Sequence, residues 1–224
     1  MLKNLVARIM ISSLKKGFRR ICWVGPEPQF PANVPIVAYA NHHTFYDGYV
    51  MWLLGRELFG RESMLWMEEW SRFPFFATVG AYPFPADDKS RRLSTIRRTA
   101  KRMAANPDSY LIYFPEGELH PPETGVLAID KQNMQRLDRI FPDKYWWPVS
   151  IHMTTWGETL PTLLLTGGEP HKMATGEEVA NLEKGLGFLR SSQHSCSKVL
   201  LDGQKSDDEN WDMGFMAGWF ERYL

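Results

Sequence analysis

Short apolar runs alternate with helical patterns along the chain. The runs at Pro35–Ala40, Met64–Met67, Ala81–Phe84, Tyr110–Phe114, Trp147–Met153 and Thr162–Leu165 read as strands. Between them, apolar positions at three- and four-residue spacing predict helices near 47–59, 71–79, 90–105 and 129–140. Two more are predicted near 175–192 and 208–223, joined by a Ser-, Gly- and Asp-rich segment that reads as a mobile loop. Strand–helix alternation predicts an α/β fold, a mostly parallel sheet covered by helices. The chain also opens on a helical pattern, with Leu2, Leu5, Val6, Ile9, Met10, Leu14, Phe18 and Ile21 on one side. Residues 1–26 are therefore read as a basic amphipathic helix, and 27–224 as the main domain.

Charge changes this picture. The 224 residues carry 26 basic and 26 acidic side chains, so the net charge is zero. The balance and the 44% hydrophobic content exclude a long disordered chain. The charges are not evenly mixed. Lys3, Arg8, Lys15, Lys16, Arg19 and Arg20 precede the first acid, Glu27. A second acid-free block holds Lys89, Arg91, Arg92, Arg97, Arg98, Lys101 and Arg102. Two basic blocks thus sit on an acidic body, and zero net charge excludes no anionic partner. The first block fits a membrane-surface helix, with its apolar face in the headgroup boundary and its cations on anionic lipid. Its charges break any apolar run well before the ~20 residues a spanning helix needs. The alternative is a helix packed on the domain with solvated charges. Cys22 and Cys196 are too few for a disulfide framework and lack metal-ligand spacing, which predicts a reducing, cytoplasmic setting.

In sheets of this kind, reactive groups sit where strands end. After the first predicted strand the chain reads Asn41, His42, His43, Thr44, Phe45, Tyr46, Asp47, Gly48. If the chain turns into a helix here, Asp47 folds back towards the imidazole of His42. A histidine held by a carboxylate is a fixed general base, and the carboxylate stabilises the imidazolium. No Ser or Cys nucleophile is needed when the substrate supplies the hydroxyl. Asp47 has a simpler reading as the N-cap of the helix, and His43 is an alternative base. Adjacent histidines on extended chain point to opposite sides, so a shared metal on His42, His43 and Asp47 is disfavoured, and no metal is assigned. After the fourth predicted strand come Phe114, Pro115, Glu116 and Gly117. Pro115 stops the strand and Gly117 permits a tight turn. The Glu116 carboxylate at that turn either orients an acceptor or is simply solvated.

Together these segments resemble the glycerolipid acyltransferase family, the 1-acyl-glycerol-3-phosphate acyltransferases and their relatives. Asn41, His42 and Asp47 match the family's His-x4-Asp block, and Phe114, Pro115, Glu116 and Gly117 its Phe-Pro-Glu-Gly block. Gly80 with Ala81–Pro85 looks like the middle block, and Pro148 with Val149 like the fourth. The resemblance covers about residues 33 to 170. It implies an O-acyltransferase that moves a fatty acyl group from acyl-CoA or acyl-carrier protein, as co-substrate, to a lysophospholipid or related lipid. His42 is then the general base, Asp47 its support, and Glu116 and Gly117 acceptor-binding groups. No cofactor is implied.

Two departures bear on the acceptor. Where the middle block usually ends in Arg, this chain has Ala86, Asp87 and Asp88. Where the second block continues with Thr or Ser and then Arg, it has Glu118 and Leu119. A site that loses arginine and gains carboxylates binds phosphate less well. Lys89, Arg91, Arg92, His120 and Lys131 are candidate substitutes. Otherwise the acceptor is a glycolipid or another apolar alcohol. A thioesterase is the alternative in which water replaces the acceptor, and a non-catalytic lipid-binding protein is counted against by the complete His42/Asp47 pair. No nucleic-acid motif is present. The expected location is peripheral, on the cytoplasmic side of a membrane.

Overall fold

The structure is a computed structural model, and it describes residues 2–141, 143–155, 158–191, 196–205 and 214–221. Helix α1 (Leu2–Gly17) leads into β1 (Arg20–Trp23) and then β2 (Ile36–Ala40). Helix α2 (Asp47–Phe59), β3 (Ser63–Met67), two 3-10 turns (Glu68–Ser71 and Pro74–Val79) and β4 (Ala81–Pro83) follow. Next come α3 (Lys89–Ala105), β5 (Tyr110–Tyr113), α4 (Lys131–Ile140), β6 (Tyr145–Thr154), β7 (Thr162–Gly167), α5 (Glu178–Ser191) and β8 (Lys198–Asp202).

The eight strands form one sheet in the order β4-β3-β5-β2-β6-β7-β1-β8. All pairings are parallel except β6 with β7 and β1 with β8. Strand β2 is buried along its whole length, as a strand covered on both faces must be. Its alternate residues point to opposite faces. Ile36, Ala38 and Ala40 pack with Leu14 of α1 and Val50, Met51, Leu53 and Leu54 of α2. Val37 and Tyr39 pack with Met103 of α3, Met134 and Leu137 of α4, and Leu182 of α5. The helices therefore cover both faces of the sheet.

Two expectations are corrected at the ends of the chain. The opening helix stops at Gly17, and Arg20–Trp23 is a strand paired on both sides, with β7 and β8. Ile21, Cys22 and Trp23 are at most 1% exposed, so this stretch belongs to the sheet. The segment read as a loop after α5 contains β8, which pairs antiparallel with β1. Of the helix expected near 208–223, residues 208–213, 222 and 223 lie outside the described residues, and within the rest Gly214–Met216 is a 3-10 turn and Ala217–Phe220 is helical.

The two cysteines also differ from expectation. Cys22 and Cys196, 174 residues apart, form a disulfide with their Cα atoms 5.4 Å apart. Two cysteines so distant in sequence carry no spacing signal, and only the sheet brings them together.

The second basic block forms most of helix α3, and five of its seven cations, Lys89, Arg91, Arg97, Arg98 and Lys101, are exposed. The buried face of α3 is Thr95, Thr99 and Met103, and Leu93 is exposed. Arg91, Arg92 and Arg98 lie over the rings of Trp70, Phe84 and Tyr82, whose faces attract cations.

Candidate active site

Parallel pairing explains how two motifs far apart in sequence meet. Strands β2 and β5 run side by side in register, with Tyr39 opposite Tyr113. Their C-terminal ends are neighbours, so Asn41–Asp47 and Phe114–Gly117 share one edge of the sheet. From β2 the chain crosses to β3 on one side, and from β5 to β6 on the other. Crevices for ligands form at such reversals.

Asp47 is the first residue of α2 and is fully buried. It does not cap its helix but reaches back over the preceding turn. Its Oδ2 accepts hydrogen bonds from the backbone N–H of His43 (2.7 Å) and of Thr44 (2.8 Å), and its Oδ1 from Thr44 Oγ1 (2.7 Å). His42 Nδ1 lies 3.1 Å from Asp47 Oδ2. A carboxylate offers only acceptors, so Nδ1 carries the proton and Nε2 carries the free lone pair. Nε2 has no protein hydrogen-bond partner among the described residues. Phe114 stacks on the ring at 4.1 Å and 15°, which fixes its plane.

Neighbouring polar groups hold this turn in place. Asn41 Nδ2 donates to the Ile151 carbonyl (2.9 Å), and its Oδ1 accepts from the Ile151 N–H (2.8 Å), tying the turn to β6. Asn41 Nδ2 also meets His43 Nδ1 at 3.1 Å, and His43 Nε2 donates to the Gly125 carbonyl at 3.1 Å. His43 thus has its proton on Nε2 and both nitrogens engaged. It is not available as a base. His43, Glu116 and His120 offer ligand atoms within 4.8 Å of one another. Both His43 nitrogens are already engaged, with Asn41 and with the Gly125 carbonyl, so that residue has no free lone pair to give a metal.

The sequence motifs divide between cavity and frame. Glu116 has a fully buried side chain. One oxygen accepts from the His42 N–H at 2.5 Å and the other from the Leu127 N–H at 2.8 Å. His120 Nε2 stands 3.0 Å from Glu116 Oε1, buried and off the line of a hydrogen bond. Glu116 therefore braces the turn that carries His42, with both oxygens engaged by backbone groups. Phe114 and Gly117 line that cavity, whereas Pro115 and Glu116 do not.

The cavity has a volume of about 580 Å³ and holds His42 in its wall. Phe45, Tyr49, Trp52, Leu65, Phe73 and Phe76 make most of it apolar, and Met10 of α1 closes one side. Ser63 Oγ is buried in its lining and has no hydrogen-bond partner among the described residues. The charged groups on it are Glu68, Glu69, Arg72 and Glu118. Arg72 donates to Glu69 at 2.6 Å. None of Lys89, Arg91, Arg92, His120 and Lys131 lines the cavity. Asp88 instead caps α3 by accepting from the Arg91 N–H. Sequence reading missed Glu68, Glu69 and Arg72, because they belong to a 3-10 turn and its C-terminal cap that match no motif. Gly80 of the middle block keeps φ at +101°, and a Cβ there would stand 1.9 Å from the Ser63 carbonyl oxygen. Only glycine fits there, so the block sets the close approach of β3 and β4.

Residues 20–143, more than half of the chain, match the family model described as Acyltransferase. The chain belongs to the acyltransferase family. The fold of this acyltransferase matches the crystal structure of the 1-acyl-sn-glycerophosphate (LPA) acyltransferase PlsC from Thermotoga maritima, with a TM-score of 0.57. The two share 17% identity, and the match covers 88% of this acyltransferase and 80% of PlsC. At that identity the likeness is one of fold. Among curated proteins, none matches the sequence.

Proposed function

We propose that this acyltransferase moves a fatty acyl group from acyl-CoA or acyl-carrier protein to a hydroxyl of a lysophospholipid or related lipid. One observation carries the reading. His42 Nε2 is the free end of a histidine–carboxylate pair set in the wall of an apolar cavity. His42 Nε2 takes the proton of the acceptor hydroxyl as its oxygen attacks the thioester carbon. The Asp47 carboxylate stabilises the imidazolium. The tetrahedral intermediate then expels the thiolate, which recovers the proton from Nε2. The products are an ester and a free thiol, and no acyl-enzyme is formed. The cavity volume falls within the range of small-molecule ligand sites.

The cavity charge favours one class of acceptor. Three carboxylates outnumber Arg72, and Arg72 is already paired with Glu69. A phosphate monoester gains little there. We therefore favour a lipid alcohol without a phosphate monoester beside the reacting hydroxyl. Labelled acyl-CoA offered with lysophosphatidic acid, glycolipid and simple lipid alcohols tests both levels. Esterification of the neutral alcohols is expected. Thioester loss that needs no acceptor would instead make the enzyme a thioesterase.

Membrane contact is the second part of the proposal. Among the described residues no helix is long and apolar enough to cross a membrane. The inner stripe of α1, Val6, Met10 and Leu14, is buried in the domain. Its outer stripe, Leu2, Leu5 and Ile9, is more than half exposed and lies among the exposed cations Lys3, Arg8, Lys15 and Lys16. Phe45 and Leu119, on the cavity wall, are exposed as well. This suits a peripheral enzyme resting on a bilayer surface.

A further inference from the structure

A second cavity, of about 380 Å³, abuts the first across Trp52, Ser63 and Val79, which line both. Its charge has the opposite sign. Lys3, Arg56, Arg61 and Arg102 line it, with Glu62 as the carboxylate among them. Lys3 and Arg102 share Glu62, one on each oxygen, at 2.5 and 3.2 Å. That carboxylate is held below its ordinary pKa, first by the hydrogen bond from Lys3. A single carboxylate cannot neutralise two cations, so this triad keeps a positive charge. Arg61 is the deeper group, with its side chain only 12% exposed. It donates to the Val34 carbonyl at 2.7 Å, and its nearest carboxylate, Asp108, stands 3.8 Å away. Arg56 extends from the end of α2, its guanidinium over Trp52 and its Nε 3.2 Å from Glu57.

The first turn of α1 forms one wall of this cavity through Lys3 and Asn4, and it carries no acidic side chain. The positive end of the helix thus adds to the side-chain cations. The exposed stripe Leu2, Leu5 and Ile9 belongs to the same helix. An anion-sized cationic pocket therefore opens beside an apolar face suited to acyl chains.

We infer that this second cavity binds the phosphate of an anionic membrane lipid, outside the catalytic cavity. The inference rests on the proposed membrane contact and is independent of acyl transfer. Guanidinium groups suit this ligand because their donors match phosphate oxygens in pairs. The phosphate-binding charge that the catalytic cavity lacks is found here, on the other side of the wall.

The test compares two neutralised variants of the full chain by vesicle cosedimentation. Arg56→Gln/Arg102→Gln empties the cavity of two cations, and Lys15→Gln/Lys16→Gln removes equal charge from the same surface elsewhere. The vesicles are phosphatidylcholine with and without one-fifth phosphatidylglycerol. The gain from phosphatidylglycerol should fall about tenfold or more in the cavity variant and about threefold or less in the control, whereas diffuse attraction, at roughly fivefold per cation, would cost both double variants about 25-fold alike. Turnover on detergent-dispersed substrate should stay within about twofold of wild type. Because Arg102 also donates to Tyr82 Oη, single Arg56→Gln is run beside it and should lose part of the same gain. Equal losses in cavity and control variants would overturn the inference. So would stabilisation of the wild type by soluble glycerol 3-phosphate with no difference on vesicles, which would assign the cavity to a free phosphate compound. Absence of acyl transfer in every variant would remove the proposed reaction and leave the vesicle comparison standing.

Discussion

The backbone N–H of His42 donates to the side chain of Glu116 at 2.5 Å across 74 positions of sequence. This bond joins the ends of β2 and β5, and with the Leu127 N–H it uses both oxygens of a buried carboxylate. Glu116 is a positioning residue. Glu116→Gln keeps the shape but presents an amide N–H₂ to one of the two backbone donors. Turnover should fall about a hundredfold with little change in KM, the pattern of a misplaced catalytic group. A rise in acceptor KM at unchanged kcat would instead place Glu116 on the substrate.

Asn41 makes a similar link to β6. Asn41→Ala leaves the buried Ile151 N–H and carbonyl without partners and frees His43 Nδ1. A loss of about 2–4 kcal/mol in unfolding free energy is expected from two unsatisfied groups. Denaturant unfolding measures it, and a loss below about 1 kcal/mol would contradict the linking role.

Much of this frame was legible in the sequence, for physical reasons. All six predicted strands are present, because a strand buried on both faces must be apolar throughout, as Ile36–Ala40 is. The His42–Asp47 pair was legible because both residues sit on one short turn. The role of Glu116 was not, since its partners are backbone groups of His42 and Leu127, which leave no trace in side-chain type. Strands β1 and β8 were missed for a related reason. Arg20–Trp23 continues the helical spacing of α1, and only its pairing with β7 makes it a strand. Arg72 and its neighbours came to the cavity through a 3-10 turn whose course the sequence does not encode locally.

Asp138 gives the account a pH test away from the site. Burial alone would raise its pKa, but hydrogen bonds from Lys144, Trp146 Nε1 and the Ala174 N–H outweigh burial and hold it below the ordinary value. A carboxyl depressed on folding stabilises the protein above its unfolded pKa and loses that contribution as pH falls through the folded value. Asp138→Asn should therefore cost roughly 1–3 kcal/mol at pH 7. The gap should narrow as pH drops below about 4. A gap that is constant with pH would show that ionisation is not what stabilises.

The Cys22–Cys196 disulfide closes a loop of 174 residues. Reduction should lower stability by about 2–4 kcal/mol, read as a fall in Tm between oxidised and reduced protein. An unchanged Tm would mean that β1 and β8 hold this edge without it. Intact mass of freshly isolated protein, alkylated before any reductant is added, also reports the compartment. An oxidised pair agrees with the disulfide and with a non-reducing compartment, and a reduced pair would agree with the cytoplasmic side expected from the sequence.

The outer stripe of α1 can be tested without deleting the helix, whose inner stripe is part of the fold. Leu5→Glu/Ile9→Glu changes two residues that are more than half exposed. Vesicle binding should drop at least tenfold while Tm stays within a few degrees. Unchanged binding would remove α1 from the membrane surface.

The central claim is that His42 Nε2 takes the acceptor proton. The direct measurement is acceptor-dependent thioester consumption by His42→Ala, with circular dichroism and vesicle binding followed in the same samples. The account predicts a loss of about 10²–10⁴-fold in turnover with fold and membrane binding retained. Turnover within a few-fold of wild type in that folded variant would contradict it.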